Sequence, residues 1–268
     1  MDPGTAIAFI GGGNMASALI GGLRRGGHAA GDIVVVEPFE AQRDKLMRDF
    51  GVAALPAADA RLAAAGMVVW AVKPQSFAEA APPCAPFVAG ALQVSVMAGM
   101  RSEAIVRCSG SGRVVRAMPN TPALIGRGIT GLHARAAVGQ AERAAVEALF
   151  APTGSTLWVA REEDLDAVTA LSSSGPAYVF YFIEAMMQAG AEMGLPSAQA
   201  RRLAQETFAG AAALAMQSDE PPDALRARVT SRGGTTHAAI ASLDADGVKA
   251  AFVKALHAAR ARAEELGR

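Results

Sequence analysis

Between Ala6 and Ile20 an apolar run stops at three consecutive glycines and resumes with helical spacing: Ala6-Ile7-Ala8-Phe9-Ile10, then Gly11-Gly12-Gly13, then Asn14-Met15-Ala16-Ser17-Ala18-Leu19-Ile20. Strand, tight turn, helix is the opening unit of a parallel sheet with helices on its faces, so this stretch constrains the fold more than any bulk property. Gly11, Gly13 and Ala16 fit the pattern G-x-G-x-x-G/A. In that pattern the first glycine makes the turn, the second lets a pyrophosphate approach the backbone, and the small third residue lets helix pack on strand. The first helical N–H groups have no internal partner and lie at the positive end of the helix dipole. Ile10, Gly11, Gly12, Gly13, Asn14 and Met15 are therefore the first candidate dinucleotide contacts, against the plainer reading of an ordinary strand-to-helix loop.

The following residues extend the pattern. Ile33-Val34-Val35-Val36 is a β-branched run of the kind buried on both faces in a parallel sheet, and it ends at Glu37. A carboxylate there is placed to accept from adenosine ribose hydroxyls, which disfavours a 2′-phosphate. Arg43 offers the opposite charge nearby, so both NADH and NADPH remain open. A helix over 40–50, a short strand near Val52 and a helix near Ala60 lead to the strand Met67–Val72. Strand ends line the ligand crevice of an open α/β sheet, which makes Ala71, Val72, Lys73 and Pro74 candidates, as are Met97 and Ala98 after the strand that starts at Leu92. A strand over 113–117 ends at Met118-Pro119-Asn120-Thr121-Pro122, where two prolines fix a loop presenting Asn120. Strands over 129–133 and 155–159 flank a helix over 140–150. Residues 1–161 thus read as a doubly wound α/β domain that binds a dinucleotide.

From Glu162 the strand signals vanish. Helices are expected over 164–171, 177–193, 198–216 and 248–266, with shorter ones over 222–229 and 236–243. Tyr178, Phe180, Tyr181, Phe182, Met186 and Met187 leave little polar surface on the second of these, which implies burial all round and hence a helical dimer interface. Residues 162–268 read as an all-helical domain for substrate binding and dimerisation.

One stretch of that half stands apart: Val229-Thr230-Ser231-Arg232-Gly233-Gly234-Thr235-Thr236-His237. The N–H groups of Gly233, Gly234 and Thr235 at a helix start make a carboxylate site by the physics that holds phosphate in the first turn. Ser231 and Thr236 add hydroxyls. The plainer alternative is a capping loop, with Ser231 or Thr235 capping the helix. Leu171-Ser172-Ser173-Ser174-Gly175-Pro176 offers a second group of hydroxyls before a helix.

Charge excludes little but points away from nucleic acid: 25 Lys and Arg balance 25 Asp and Glu. Asp2 and Pro3 precede the first strand in place of a basic targeting segment, and no apolar run spans a bilayer. Cys84 and Cys108 have neither C-x-x-C spacing nor a nearby histidine pair, so neither a disulfide framework nor a metal site is expected. A cytoplasmic location follows as an expectation.

Taken together, Phe9 to Ala16, Ala71-Val72-Lys73-Pro74-Gln75, Met118-Pro119-Asn120-Thr121-Pro122, Leu171 to Tyr178 and Val229 to Thr236 resemble the pyrroline-5-carboxylate reductase family, in order and over nearly the whole chain. The resemblance implies an N-terminal Rossmann-type domain, a C-terminal dimerisation domain, and reduction of L-1-pyrroline-5-carboxylate to L-proline with NADPH or NADH. It implies a homodimer, with further assembly open, and Thr236 as the residue that hydrogen-bonds the ring nitrogen. Ser173 and Arg232 depart from the family's usual glycine and proline, and the pattern around His237 also differs. The alternatives are another small two-domain NAD(P) oxidoreductase of hydroxy-acid type, or a dinucleotide-binding regulatory module without turnover.

Overall fold

A computed structural model of the chain describes residues 6–267; Asp2 and Pro3 lie outside them. One unit runs to Ser174 and takes up the chain again at Ala259, and the other is Gly175–Ala258.

In chain order the first unit comprises β1 (Ile7–Ile10), α1 (Asn14–Arg25), β2 (Ile33–Val36), α2 (Glu40–Phe50), β3 (Ala54–Leu55), β4 (Met67–Trp70), α3 (Phe77–Val88), β5 (Leu92–Ser95), α4 (Ser102–Ser109), β6 (Val114–Met118), β7 (Gly128–Ala134), α5 (Gln140–Phe150), β8 (Gly154–Trp158) and α6 (Asp164–Val168). The strands lie in the order β3-β2-β1-β4-β5-β6-β7-β8. Every residue of β1 and β4 is buried, because helices cover both faces of the sheet. Side chains of β1 alternate between two cores. Ile7 and Phe9 join Leu19, Leu23, Val35 and Phe150 on one face; Ala8 and Ile10 join Val68, Trp70, Phe77 and Val88 on the other.

The sheet is parallel from β3 through β6, but β7 runs antiparallel to β6, with Arg116 opposite His133. The sequence reading places a proline-bounded loop and no helix between these two strands, and the length of that connection sets their antiparallel pairing. Residues 119–127 contain one short 3-10 turn, Thr121–Ile125, too little chain for the covered crossover that a parallel return requires.

Two helices carried no clear signal. α3 contains Pro82, Pro83 and Pro86, each of which removes a helical N–H donor. It forms because Phe77, Ala81, Cys84 and Val88, spaced along one helical face, are buried against the sheet. α4 is only eight residues long.

By packing, the first unit extends through Ser174. Residues 162–174 pack with the sheet because Glu162 accepts from Ser102 and pairs with Arg116 at 3.1 Å, while Asp166 pairs with Arg101 at 2.7 Å. A π-type turn at Thr169–Ser173 follows α6.

The second unit contains α7 (Gly175–Glu192), α8 (Ser197–Gln217), α9 (Pro222–Arg228), α10 (Thr235–Ala245) and most of α11 (Val248–Leu266). α7 and α8 pack closely where a Cβ on Gly190 would come within 2.8 Å of the Ala200 Cβ. Tyr178 and Phe182 of α7 meet Phe252 of α11 edge to face. The all-round burial expected for early α7 is not met within one chain: Phe180 and Tyr181 are 58% and 69% exposed. Such aromatic surface needs a partner to cover it.

Candidate active site

Two glycine-bearing loops, one in each unit, carry the leading candidate residues. The first is the glycine turn between β1 and α1. It lies where the sheet changes direction of growth, since β1 has β2 on one side and β4 on the other, and ligands of open α/β sheets bind at such points. Gly11 has φ +97, and a Cβ there would sit 2.8 Å from the carbonyl oxygen of Ala71. No other residue fits that backbone and that gap. The turn and the end of β4 are thus brought together, with the Ala71 N–H donating to Ile10 at 2.8 Å.

The N–H groups of the turn do not act alike. Gly11 donates to the Val36 carbonyl and Gly12 to the Glu37 carboxylate, both at 2.8 Å. Gly13 is exposed and a Cβ there would meet nothing within 4 Å. α1 then begins with no side-chain cap and no acidic residue in its first turn. The open, anion-favouring part of the turn is therefore Gly13-Asn14-Met15, and Gly12 supports it from beneath. This cradle fits a dinucleotide pyrophosphate.

Sequence reasoning missed what holds Gly12. Its carbonyl accepts from the Gln42 side-chain amide and, at 3.3 Å, from the Ser17 hydroxyl. Neither residue belongs to the glycine pattern; only the place of Gln42 in the first turn of α2 could have suggested it. Glu37 is 6% exposed, and its second oxygen accepts from the Phe39 N–H at 3.0 Å. Arg43 donates to the Glu37 and Pro38 carbonyls at 3.1 and 2.7 Å.

The remaining candidates on this sheet edge divide. Lys73 and Pro74 are exposed after β4, and Ala71 and Val72 are half-buried. The side chains of Ile10 and Met97 belong to the core, so those residues can offer a ligand only backbone; Ala98 is half-buried. Asn120 acts as a clamp: its Oδ1 accepts from the Ile129 N–H at 3.1 Å and its Nδ2 donates to the Ser172 hydroxyl at 3.2 Å. Ser173, where glycine was the family expectation, donates to the Pro119 carbonyl at 2.8 Å, so its extra atoms are accommodated by a hydrogen bond.

Arg101, Ser102, Arg116, Glu162 and Asp166 form a largely buried polar network. Burial pulls the Glu162 carboxyl upward, but hydrogen bonds from Ser102 and the charge of Arg116 outweigh it and hold Glu162 below its ordinary value. Burial draws Arg116 down, opposed by the same carboxylate. Cys84, in the core of α3, is pushed up to about 11 by burial, which makes it an unreactive thiol.

The second loop, between α9 and α10, has the same construction. α10 starts at a glycine, without a side-chain cap and without an acid in its first turn. Neither Ser231 nor Thr235 caps α10 through a side-chain hydrogen bond; Gly234 stands at the N-cap. Gly233 has φ +77 with open space beside it. One expected donor is already engaged: the Gly234 N–H donates to the Ser231 carbonyl at 3.0 Å. Thr230 is turned back onto the Arg226 carbonyl at 2.6 Å. Ser231, Arg232, Gly233, Thr235 and His237 are exposed, and Thr236 is half-buried.

Among the described residues, no helix is long and apolar enough to cross a membrane, no group of His, Cys, Asp and Glu is arranged to hold a metal, and both cysteines are free.

Comparison with known proteins places this architecture. The family model for pyrroline-5-carboxylate reductase dimerisation matches residues 162–266, and one for NADP oxidoreductase, coenzyme F420-dependent, matches residues 6–99. Pyrroline-5-carboxylate reductase of Pseudomonas aeruginosa is 43% identical over 97% of this chain and 96% of its own length. The Synechocystis enzyme is 36% identical over 98% of each. A solved pyrroline-5-carboxylate reductase from Coxiella burnetii superposes with a TM-score of 0.90 at 34% identity, covering 99% of both chains. The Plasmodium falciparum pyrroline carboxylate reductase, solved with NADP bound, gives 0.88 at 26% identity, also covering 99% of both. With full-length identity at this level and the dimerisation model matched over residues 162–266, the chain belongs to the pyrroline-5-carboxylate reductase family.

Proposed function

We propose that this chain reduces L-1-pyrroline-5-carboxylate to L-proline with NAD(P)H, the final step of proline biosynthesis, and that its two glycine loops divide the binding. The observation that carries this division is that α1 and α10 begin alike, each at a glycine with no side-chain cap and no acidic residue in the first turn. Unpaired N–H groups at a positive helix end attract anions. The reaction supplies two, a pyrophosphate and a carboxylate.

At the first loop, Gly13, Asn14 and Met15 take the pyrophosphate, while Gly11 and Gly12 set the turn. Glu37 meets the adenosine ribose, and the backbone of Ala71 to Pro74 and of Met97 and Ala98 borders the rest of the cofactor. When bound, the nicotinamide supplies the hydride that reduces the ring C=N carbon. Asn120 holds the loop beside it in place through Ile129 and Ser172.

At the second loop, Ser231, Gly233 and Thr235 bind the substrate carboxylate; Gly234 shapes the loop through its bond to Ser231. Thr236 is the catalytic residue. Its hydroxyl hydrogen-bonds the ring nitrogen and fixes the face of the C=N bond presented for reduction. A threonine hydroxyl is no acid at neutral pH, so the proton that the nitrogen gains comes from solvent, directly or relayed by Thr236. Orientation therefore dominates the rate enhancement this chain supplies.

The dimerisation match supports a homo-oligomer. We take it to be a homodimer, open to further assembly, working in the cytoplasm without nucleic-acid or membrane partners. The test is oxidation of NADH and of NADPH, separately, with pyrroline-5-carboxylate. No oxidation with either overturns the reading.

A further inference from the structure

The loop after β5, residues 96–101, leaves the carboxyl end of a strand that pairs in parallel with β4, and such strand ends border the ligand crevice of an open sheet. What fixes the second half of this loop comes from far along the chain. A Cβ on Gly99, at φ +72, would lie 2.9 Å from the Leu266 carbonyl oxygen, so the end of α11 is seated directly on that residue. Arg101 Nη2 donates to Asp166 of α6 at 2.7 Å, and the Asp166 side chain is 4% exposed. The same guanidinium lies against Gly267, where a Cβ would come within 2.7 Å of Arg101 Nε. Its Nη1 is buried and finds no acceptor among the described residues. A surface arginine would turn that donor to water; Arg101 is kept enclosed instead. The next residue, Ser102, donates its N–H and its hydroxyl to Glu162 at 2.7 and 2.6 Å. The loop is thus held by residues 162–166, which precede the second unit in sequence, and by 266–267, which follow it, and both segments belong to the first unit.

We propose that Arg101 is a positioning residue for the dinucleotide: by joining α6 and the end of α11 to the loop after β5, it holds Met97 and Ala98 at the cofactor border. The proposal rests on the first unit being the dinucleotide site. With its head engaged by Asp166 and Gly267, Arg101 acts on the cofactor only through the loop backbone. A loop left to order on binding lowers affinity by the conformational entropy it loses, and a loop already pinned does not. The effect falls on dinucleotide binding and not on the hydride step, because once the cofactor is seated the loop is ordered in either case.

The test uses the full chain, with NADH and NADPH each titrated by nicotinamide fluorescence and each varied in steady-state reduction of pyrroline-5-carboxylate. Arg101→Met keeps the apolar stem and removes the head. It should raise both Kd and KM for the dinucleotide about tenfold, while kcat at saturating dinucleotide stays within about twofold of the wild type. Arg113→Met is the control, because it breaks the 2.6 Å pair with Glu142 at the amino end of β6, away from the crevice; it should change neither constant. Unchanged dinucleotide affinity in Arg101→Met overturns the proposal. An equal rise in Arg113→Met, or a fall in kcat as large as the rise in KM, also overturns it, since either marks a general loosening of the fold. Should Arg101→Met not fold, Arg101→Lys decides by the same criterion: it keeps a cation for Asp166 but not the planar head against Gly267, so weaker dinucleotide binding at unchanged kcat supports the proposal and unchanged binding overturns it. A wild type that binds neither dinucleotide overturns the reading of the first unit, and the proposal with it, an outcome distinct from a wild type that binds and variants that bind equally well.

Discussion

Glu37, at the end of β2, accepts a 2.8 Å hydrogen bond from the N–H of Gly12, 25 residues earlier in the chain. Gly12 is buried, so the bond does more than orient a surface acid. It supplies the acceptor for a buried backbone N–H. The two sequence features that suggested a dinucleotide site, the glycines and the strand-end acid, are thus one mechanical unit.

That coupling predicts a stability effect independent of any cofactor. Glu37→Ala strands the Gly12 N–H in a buried position and should cost about 1–3 kcal/mol. Glu37→Gln retains an acceptor and should recover most of it. Urea unfolding of the ligand-free protein measures both. Equal losses in the two variants would show that the bond to Gly12 is not what stabilises the turn.

The glycines should separate by role. Gly11→Ala places a Cβ 2.8 Å from the Ala71 carbonyl oxygen at φ +97, a left-handed conformation that alone costs roughly 1–2 kcal/mol. It should lower the melting temperature and abolish dinucleotide binding. Gly13→Ala meets open space and, as the N-cap of α1 with φ −66, is unstrained. It should melt like the wild type yet bind dinucleotide more weakly, because the methyl group occupies the side from which a phosphate approaches. Unimpaired binding in Gly13→Ala would move the pyrophosphate away from that face.

How much of this was legible in the sequence depends on the range of the interaction. β1, α1, β2 and α2 follow from local patterns, since their burial and turn chemistry are written within a few residues. The glycine start of α10 was legible for the same reason. α3 was not, because its three prolines contradict a helix locally and only burial of Phe77, Ala81, Cys84 and Val88 against the sheet overrides them. Nor was the engagement of the Gly234 N–H by Ser231, which depends on how the loop closes. The packing of residues 162–174 with the sheet rests on pairs such as Arg101 with Asp166, 65 residues apart, for which no spacing rule exists.

The Glu162 network gives a pH prediction whose sign is fixed. Glu162 lies below its ordinary value of 4.5 in the folded protein. A carboxyl so shifted stabilises the fold above its unfolded value and loses that contribution as pH falls through the folded value. Glu162→Gln leaves Arg116, whose side chain is 4% exposed, without its charge partner, and breaking such a pair should cost on the order of 3 kcal/mol near neutral pH. The stability gap between wild type and variant should narrow as pH is lowered below about 4.5, where the unfolded chain takes up the proton, and close only once pH has fallen past the lower folded value, where the wild-type carboxyl also loses its charge. A gap constant with pH would mean that the loss comes from packing alone.

Thr236 provides the sharpest separation of binding from chemistry. It is half-buried in the first turn of α10, beside N–H groups that no side chain caps. If its hydroxyl orients the ring nitrogen, Thr236→Ala should lower kcat on the order of 100-fold, the scale of loss from a misplaced reacting group. Dinucleotide affinity should be unchanged, because the glycine turn belongs to the other unit. Thr236→Ser keeps the hydroxyl and should restore much of the rate, with the remaining deficit set by the looser rotamer of serine. A pH profile distinguishes orientation from acid catalysis. If solvent supplies the proton, the limiting pH dependence should be the same in wild type and Thr236→Ser, and Thr236→Ala should lower the whole profile without moving it. A profile that shifts in Thr236→Ala would instead make the hydroxyl part of the proton path.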